Sequence, residues 1–325
     1  MPTITAIIAK NAYIQQNIQF IVRRAKEFII LFRYYKFTFS RQNKIQLYAI
    51  FFDDKRKTMG LTDRLKGAVS LYAFCKIKNI PFRCVFTYPF DLSLFFDPKQ
   101  YVWQAKKDEI AEKVADVKIL ILQGEDGKRL LRLKNKKQVH TYINRDYLPL
   151  LNQKFKTNFV WGNLFNELFK PTPKLEEQLN YHLNRISSNY IACQFRFQSL
   201  LGDFKEYDFP TLPLDKQQSL ITTCTETLCE LQKKHKLPVL VTSDSSGYLS
   251  HVSKLENIFI IPGDIVHIDC THDAAENIYM KSFVDFMMLS KADKIYSIVA
   301  GQMYPSEFPL YAAKVNNVPF ERIIL

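Results

Sequence analysis

The chain has 325 residues, which is enough for two domains of ordinary size that each bury a core. A hydrophobic content of 47%, with 26 Phe and 17 Tyr, indicates a packed globular protein and disfavours a disordered one. Only 9 residues are Gly, and neither G-x-G-x-x-G nor G-x-x-x-x-G-K-[ST] occurs. This composition argues against an ordinary dinucleotide-binding dehydrogenase and against a P-loop nucleotide hydrolase.

The net charge of +13 leaves three classes of partner open: nucleic acid, an anionic membrane surface and an anionic small ligand. About half of the excess charge lies in residues 1–45, which contain eight Lys or Arg residues and one acidic residue, Glu27. This distribution predicts a localised basic arm over residues 1–44.

The six cysteines are far apart and form no C-x-x-C pair. We therefore expect buried, reduced thiols rather than disulfides or a zinc site, as in a cytoplasmic protein. The sequence shows no cleavable signal and no run of about 18 uncharged apolar residues. We expect a cytoplasmic protein, with peripheral contact at the inner membrane as an open alternative.

Residues 14–35 have the spacing of an amphipathic helix. Basic side chains, including Arg23, Arg24 and Arg33, fall largely outside its apolar stripe. The favoured interpretation is that the stripe packs on its own domain. The alternative, a helix lying on an anionic membrane surface, stays open. The stripe consists of Ile14, Ile18, Ile21, Val22, Ala25, Ile29 and Phe32.

The pattern then predicts a strand over residues 45–52, a turn at Gly60, a helix and a strand over residues 80–88, which together make a βαβ unit. A further strand is predicted at 117–122, and residues 138–170 are predicted to be helical. The prolines at 171 and 173 mark the expected domain boundary. The N-terminal domain therefore spans residues 45–172 and the C-terminal domain residues 173–325.

In the C-terminal half, predicted strands alternate with predicted helices, which is typical of a parallel sheet covered on both faces. The strands are expected at 190–196, 239–242, 258–261, 265–269 and 294–299. The helices are expected at 175–186, 216–236, 283–292 and 306–314.

Three polar features follow the predicted strands of this half. Arg196 ends the first strand and can grip a phosphate with a permanent charge. Ser243, Asp244 and Ser245 follow the next strand, and residues 305–308 precede a helix whose free N–H groups favour an anion. Singly, these features are equally a surface ion pair, a helix cap and a helix start. Together they favour a diphosphate nucleotide site at the strand ends.

These residues resemble the motifs of the fucosyltransferase superfamily that includes the O-, α1,2- and α1,6-fucosyltransferases and the nodulation enzymes. Residues 60–67, GLTDRLKG, are similar to the G-x-G-[DN]-[RQ]-L turn of that family. Gln194 and Arg196 stand in the place of H-x-R, and Ser243 with Asp244 match S-D. Asp285, Ser290 and Asp293 match the D-x-x-x-[LM]-S-x-[AC]-D helix, and Ser306 with Phe308 match the segment after it more loosely.

The resemblance implies a GT-B fold, in which two Rossmann-like domains with parallel sheets face a cleft. It implies a metal-independent glycosyltransferase that moves fucose from GDP-fucose to a glycan acceptor of polysaccharide or lipopolysaccharide type. Arg196 is then the catalytic residue that contacts the β-phosphate and helps the leaving group depart. The implied donor-binding residues are Gly60, Asp63, Arg64, Gln194, Ser243, Asp244, Ser245, Asp285, Ser306 and Phe308.

Within this set, the resemblance implies that Asp244 holds the guanine or ribose and that Ser306 and Phe308 lie at the phosphates. The sequence departs from the family pattern in two ways: Gln194 replaces the usual His, and Phe197 and Gln198 stand where a second Arg follows. These departures make the identity of the donor sugar less certain than the fold.

Sugar transfer requires charge stabilisation on the departing diphosphate and a base for the acceptor hydroxyl. No convincing D-x-D motif for a metal is present, so an arginine-based cradle is expected, without cofactor or metal. Asp63, Asp203 and His251 are candidate bases, but the favoured explanation of each is a cap, a surface carboxylate or an ordinary exposed histidine. The alternatives are a GT-B enzyme that uses another nucleotide sugar and a basic nucleic-acid-binding protein, although no nucleic-acid module is visible.

Overall fold

The computed structural model describes residues 12–38, 45–56, 60–123, 127–133, 137–186, 189–204, 209–266, 268 and 276–325. The strands are β1 (Tyr48–Phe52), β2 (Phe82–Phe86), β3 (Phe96–Pro98), β4 (Val117–Ile121), β5 (Gln138–Tyr142), β6 (Phe169–Pro171), β7 (Ile191–Phe195), β8 (Val239–Ser243), β9 (Ile258–Phe259), β10 (Lys294–Val299) and β11 (Phe320–Ile324). The helices are α1 (Ala12–Tyr34), α2 (Leu61–Lys78), α3 (Lys128–Leu131), α4 (Leu148–Phe155), α5 (Trp161–Leu168), α6 (Pro173–Ile186), α7 (Leu214–His235), α8 (Ser246–Val252), α9 (Met280–Leu289) and α10 (Phe308–Asn316). Single 3₁₀ turns lie at Leu92–Leu94 and Glu276–Tyr279.

The chain forms two compact units. The first comprises Met1–Thr58, Asp63–Phe86 and Trp103–Asn158, and the second Met59–Thr62, Thr87–Val102 and Phe159–Leu325. Residues 159–172 thus belong to the second unit, whereas the predicted boundary lies at residue 172.

The first unit contains a four-stranded parallel sheet in the order β2-β1-β5-β4. All five residues of β1 are buried, as expected for an inner strand covered on both faces. The predicted βαβ unit is confirmed, because β1 pairs in parallel with β2 after α2. The strand predicted at 117–122 is confirmed as β4.

The prediction that residues 138–170 are helical is wrong at its start. Residues Gln138–Tyr142 form β5, a fully buried strand between β1 and β4. Its polar side chains are satisfied inside the sheet: the Gln138 amide donates to Ile45 and Glu109 carbonyls, and Thr141 donates to the Ala49 carbonyl. Polar residues that pair in this way can be buried at low cost. The strand therefore lacks the apolar pattern on which the prediction relied.

Helix α1 is present, but the predicted orientation of its apolar stripe is wrong. The described members of the stripe from residue 18 onward are exposed, with Ile21 at 65% and Ile29 at 58%. The buried side instead carries Glu27 and Ile30. Glu27 Oε1 accepts a 2.9 Å hydrogen bond from the Ile121 N–H and pairs with Arg129 at 2.5 Å. A paired carboxylate thus holds the polar side of α1 against β4, and the apolar side is left outside.

The second unit contains a five-stranded parallel sheet in the order β11-β10-β7-β8-β9 and an antiparallel pair, β3 and β6. The predicted alternation of strands and helices is confirmed here. Strand β11 was not predicted, and Ile265 and Val266 of the predicted strand 265–269 lie outside any strand. Residues 267 and 269 lie outside the described residues.

One face of this sheet packs into a hydrophobic core. Cys193, Phe195, Val241 and Ile298 point into that core and pack with side chains of α7 such as Leu228. Because side chains alternate along a strand, Gln194 and Thr242 belong to the opposite face.

Of the five cysteines that the structure describes, Cys75, Cys84, Cys193 and Cys224 are buried and Cys229 is partly buried, all as free thiols. Cys270 lies outside the described residues. Among the described helices, none is long and apolar enough to cross a membrane.

Candidate functional site

The carboxyl ends of β7 and β8 are joined by the side chain of Asp244. Its Oδ1 accepts a 2.8 Å hydrogen bond from the Phe197 N–H, and its Oδ2 accepts a 2.6 Å hydrogen bond from the Gln198 N–H. Gln198 has a positive φ of 54°, so the chain turns sharply here. Asp244 therefore fixes the turn that follows Arg196.

Arg196 lies at this turn with its guanidinium partly exposed. Nη1 is 3.1 Å from Asp244 Oδ2, and the side chain is 17% exposed while that of Asp244 is 3% exposed. The guanidinium also lies 5.2 Å from the centroid of the Phe204 ring. A guanidinium beside a carboxylate and an aromatic ring keeps a fixed orientation, and a fixed permanent positive charge suits an anionic ligand.

Asp244 is itself held in an apolar setting. Burial raises the pKa of Asp244 above its ordinary value, and Arg196 and the two backbone N–H donors oppose that rise. Asp244 and Arg196 are thus coupled: the arginine charge stabilises the buried carboxylate, and the carboxylate orients the arginine.

A row of polar side chains crosses the sheet one or two residues inside the strand ends. Gln194 on β7 is in register with Thr242 on β8 and with Ser297 on β10, and Ser297 is in register with Arg322 on β11. The hydroxyls of Thr242 and Ser297 are buried and have no hydrogen-bond partner. Arg196 and Asp244 follow Gln194 and Thr242 by two positions, just beyond the ends of β7 and β8.

Arg322 and Ser297 were not predicted as site residues. Arg322 Nη2 donates a 2.7 Å hydrogen bond to the Ser306 carbonyl, and its Nε is buried without a partner. The sequence signal that could have found them is the register of β10 and β11, which requires β11 to be recognised as a strand.

Ser306 and Phe308 form the start of α10. The Ser306 hydroxyl accepts a 3.2 Å hydrogen bond from the Phe308 N–H, and the Phe308 ring packs edge-on against Phe286 at 5.4 Å. Ser306 therefore forms a turn two residues before α10, whose N-cap is Glu307, and Arg322 holds the Ser306 carbonyl next to the end of the polar row.

Ser243 and Ser245 are engaged within the protein. The Ser243 hydroxyl accepts a 3.1 Å hydrogen bond from the Ser245 N–H, and the Ser245 hydroxyl caps α8 by accepting from the Tyr248 N–H at 3.0 Å. Asp203 Oδ2 then accepts from the Ser245 hydroxyl at 2.8 Å and from the Gly247 N–H at 2.7 Å. The start of α8 thus already holds a carboxylate, that of the candidate base Asp203.

Asp285 lies on α9, in a buried cluster with Lys281 of the same helix. Lys281 Nζ is 2.6 Å from Asp285 Oδ2, while Asp285 Oδ1 is buried without a partner. Burial raises the pKa of Asp285, and Lys281 opposes the rise. Nearby His182 is also buried with Nδ1 unpartnered, and burial followed by the charges of Arg185 and Lys281 lowers its pKa. The sequence interpretation included Asp285 but missed Lys281 and His182.

The remaining predicted residues lie at the start of α2. Gly60, which precedes α2, is grouped with the second unit, and Asp63 and Arg64 belong to the first. Asp63 pairs with Lys66 at 2.5 Å. Arg64 is 1% exposed and its guanidinium lies 4.9 Å from the Phe86 ring centroid and 5.9 Å from that of Phe52. Arg64 is therefore packed on the two residues that end β1 and β2.

Among the described residues, no group of three or more His, Cys, Asp or Glu side chains is arranged to hold a metal ion. His251 is exposed on α8.

Comparison with known proteins gives a match only at the level of structure. No family model matches the chain, and no curated protein matches it in sequence. The chain is similar to Arabidopsis thaliana FUT1, solved as a mutant in complex with GDP, with a TM-score of 0.53 and 14% identity over 89% of this chain and 72% of that one. It is also similar to NodZ α-1,6-fucosyltransferase co-crystallised with GDP, with a TM-score of 0.50 and 11% identity over 82% of this chain and 91% of that one. The chain has the fold of these fucosyltransferases.

The predicted α/β fold with parallel sheets covered by helices is therefore confirmed as a fucosyltransferase-type fold. In this fold the chain brings Gln194, Arg196, Ser243, Asp244 and Ser245 together at adjoining strand ends. At this level of identity the likeness concerns the fold, and the roles of these residues depend on their own chemistry.

Proposed function

We propose that the chain is a glycosyltransferase that takes a sugar from a GDP-sugar, with fucose as the sugar, and transfers it to a hydroxyl of a glycan acceptor. The observation that carries the proposal is the Arg196–Asp244 pair at the carboxyl ends of β7 and β8. In open parallel sheets, ligands bind at this edge. The presence of GDP in the solved FUT1 and NodZ structures supports a guanosine diphosphate donor.

In the proposed reaction, the acceptor oxygen forms a bond to the anomeric carbon while the bond from that carbon to the diphosphate oxygen breaks. The electron pair of the broken bond goes to the leaving diphosphate, and the proton of the acceptor hydroxyl is released to water. Arg196 stabilises the charge that develops on the diphosphate, because its guanidinium is always protonated and already oriented by Asp244. Asp244 acts as a positioning residue, since both of its oxygens accept backbone hydrogen bonds.

The polar row supports a ligand with hydroxyl or phosphate oxygens. Two buried hydroxyls without partners, at Thr242 and Ser297, flank Gln194. Leaving such groups unpaired is costly, so a site that pairs them on ligand binding gains affinity. Gln194, where the family has His, supplies a neutral amide and leaves the positive charge to Arg196.

This substitution also favours a second candidate function, transfer of a sugar other than fucose from a nucleotide donor. The residue in that position differs in its hydrogen-bonding groups from the family's His, and recognition of a sugar hydroxyl depends on such groups. The two candidates share the fold and Arg196 and differ only in the donor.

The test combines binding and turnover. Thermal unfolding with GDP, GDP-fucose, GDP-mannose, UDP and a single-stranded oligonucleotide identifies the ligand class, because a ligand that binds only the folded state raises Tm. Release of GDP from GDP-fucose in the presence of glycan acceptors then measures turnover. Stabilisation by the oligonucleotide alone would overturn the proposal, and turnover of another nucleotide sugar alone would select the second candidate.

Arg196→Ala is expected to reduce turnover by a factor of about 100 or more, as for loss of one group that stabilises transition-state charge. The matched control is Arg185→Ala, which removes an exposed arginine of α6 in the same unit. Folding is checked by thermal unfolding of both variants without ligand. Turnover by Arg196→Ala equal to that of the control would contradict the assignment.

A further inference from the structure

We propose that α1 is a membrane-docking helix that lies on an anionic phospholipid surface. Its apolar side is turned away from the rest of the first unit, and no described part of the protein covers it. From residue 18 onward, the large apolar side chains on this side are between 44% and 65% exposed: Ile18, Ile21, Val22, Phe28, Ile29 and Phe32.

The exposed apolar residues form one continuous surface. At about 100° per residue along a helix, they fall within a sector of about 120°, opposite Glu27. The rings of Phe28 and Phe32 stack with centroids 5.6 Å apart, and Phe37 lies 5.9 Å beyond Phe32 with 64% of its surface exposed. Soluble proteins rarely leave a patch of this kind uncovered.

Basic side chains border this surface on both sides. At 100° per residue around the helix axis, Lys26 and Arg33 lie along one edge of the apolar sector, and Arg24 lies towards the other edge. Glu27 is the only acid between residues 18 and 38, and it is 4% exposed and paired with both Arg129 and Arg24. The outward side of α1 is therefore apolar at its centre and cationic at its margins.

This charge pattern selects the occupant. An apolar sector flanked by Lys and Arg matches the boundary between acyl chains and anionic headgroups, where the apolar side chains sink in and the cations meet phosphates. A second copy of the chain would bring two cationic margins together and is disfavoured by repulsion. The inward side stays fixed to the protein by Glu27 and Ile30, so docking requires no rearrangement of the sheet.

The proposal is tested by flotation of the full chain with vesicles of phosphatidylcholine alone and of phosphatidylcholine with phosphatidylglycerol. The wild-type chain is expected to bind the anionic vesicles, more weakly as salt is raised, and to bind the neutral vesicles poorly. The combined variant Phe28→Ser, Ile29→Ser, Phe32→Ser is expected to bind the anionic vesicles at least tenfold more weakly. Since these side chains are exposed, its Tm should match that of the wild type.

A second variant removes charge and keeps the apolar surface. Lys26→Gln with Arg33→Gln is expected to weaken binding to the anionic vesicles by about fivefold for each charge and to reduce its salt dependence. The matched control replaces three exposed apolar residues elsewhere, Val102, Val160 and Leu214, by Ser and should bind as the wild type does.

Failure of the wild type to bind anionic vesicles would overturn the proposal. Equal loss in the control variant would also overturn it. A wild-type dimer in solution that the triple α1 variant abolishes, without vesicle binding, would assign the surface to a second copy instead. None of these outcomes depends on sugar transfer, so they leave the proposed catalytic function untouched.

Discussion

Arg196 and Asp244 show how one carboxylate can set the geometry of a site. The two carboxylate oxygens of Asp244 accept hydrogen bonds from the N–H groups of Phe197 and Gln198, and these bonds close the turn. Asp244 Oδ2 also pairs with the Arg196 guanidinium. The guanidinium is therefore oriented by a carboxylate at the neighbouring strand end, with the Phe204 ring beside it. A ligand phosphate would meet a cation whose orientation is already determined, which lowers the cost of ordering it on binding.

The Lys281–Asp285 pair is a second buried ion pair, and its energetic role differs from that of an exposed pair. The side chains of Lys281 and Asp285 are 5% and 12% exposed, and Asp285 Oδ1 has no partner. Each charge is desolvated and depends on the other. The pair is therefore strongly sensitive to loss of either partner, although the intact pair need not stabilise the fold.

We predict that Asp285→Ala lowers the free energy of unfolding by about 3–5 kcal/mol, because it leaves the Lys281 ammonium buried without a counter-charge. The double variant Lys281→Met, Asp285→Leu should recover most of that loss, since it removes both charges and fills the space. Urea unfolding of the three proteins measures the difference. Glu112→Ala, which breaks an exposed pair with Lys36, is the control and should have a much smaller effect. Equal losses in the single and double variants would contradict this account.

At the scale of elements, α1 is tied to the sheet at its end by a buried histidine. Tyr35, just after α1, has its hydroxyl 2.6 Å from His140 Nδ1 on β5, and His140 Nε2 is 3.1 Å from Gln138 Oε1. Burial, with a smaller contribution from the Lys55 charge, lowers the pKa of His140 to about 3. The imidazole is thus neutral in the folded protein at ordinary pH.

The lowered pKa of His140 predicts acid sensitivity with a defined sign. Below pH 6.5, the ordinary pKa of His, the unfolded chain binds a proton at this residue that the folded protein does not bind. The stability that neutral His140 provides is therefore complete above that pH and is lost as the pH falls towards about 3, by up to about 1.4 kcal/mol per pH unit.

Urea unfolding of the wild type and of His140→Gln at neutral and mildly acidic pH tests this prediction. The Gln variant retains a donor and an acceptor but does not titrate, so its stability should fall less steeply with acidification. Identical slopes for the two proteins would assign the acid sensitivity to other groups.

The elements that the sequence predicted correctly are those with apolar strands between helices: β1, β2, β4, β7, β8 and β10. Strand β5 was missed because Gln138, His140 and Thr141 are polar and yet buried through hydrogen bonds that only the folded sheet provides. The orientation of α1 was also missed. The prediction from hydrophobicity placed the apolar side of α1 in the core. In the structure, the opposite side is attached to β4 by the hydrogen bond from the Ile121 N–H to Glu27 and by the Glu27–Arg129 pair.

The sequence also predicted only part of the candidate site, because some of its residues are brought together only by the folded sheet. Arg196 and Asp244 follow apolar strands directly, so a rule about strand ends finds them, and Gln194 lies two positions before Arg196 inside β7. Ser297 and Arg322 join the row only through the registers of β10 and β11. Asp203 reaches the start of α8 from another loop. Contacts of this kind depend on tertiary structure and leave no local pattern in the sequence.

At the scale of the whole molecule, the two units are chemically distinct. The first carries α1 with its exposed apolar and cationic surface, and the second carries the Arg196–Asp244 strand ends. The net charge of +13 therefore has two proposed anionic ligands: phospholipid headgroups at α1 and a diphosphate at Arg196. The residues of the two surfaces belong to different units, so each surface can be substituted separately.

This separation predicts a specific pattern of hydrogen exchange when GDP is added. Amides near the Arg196 turn and the segment from Tyr304 to α10, which is linked to it by the hydrogen bond from the Tyr304 N–H to the Arg196 carbonyl, should exchange more slowly. Amides of α1 should be unaffected by GDP, and vesicles should give the converse pattern. Arg196→Ala should lose the GDP-dependent protection and keep the vesicle-dependent one. Protection by GDP confined to the first unit would contradict the placement of the donor at β7 and β8, since the diphosphate would then bind away from Arg196.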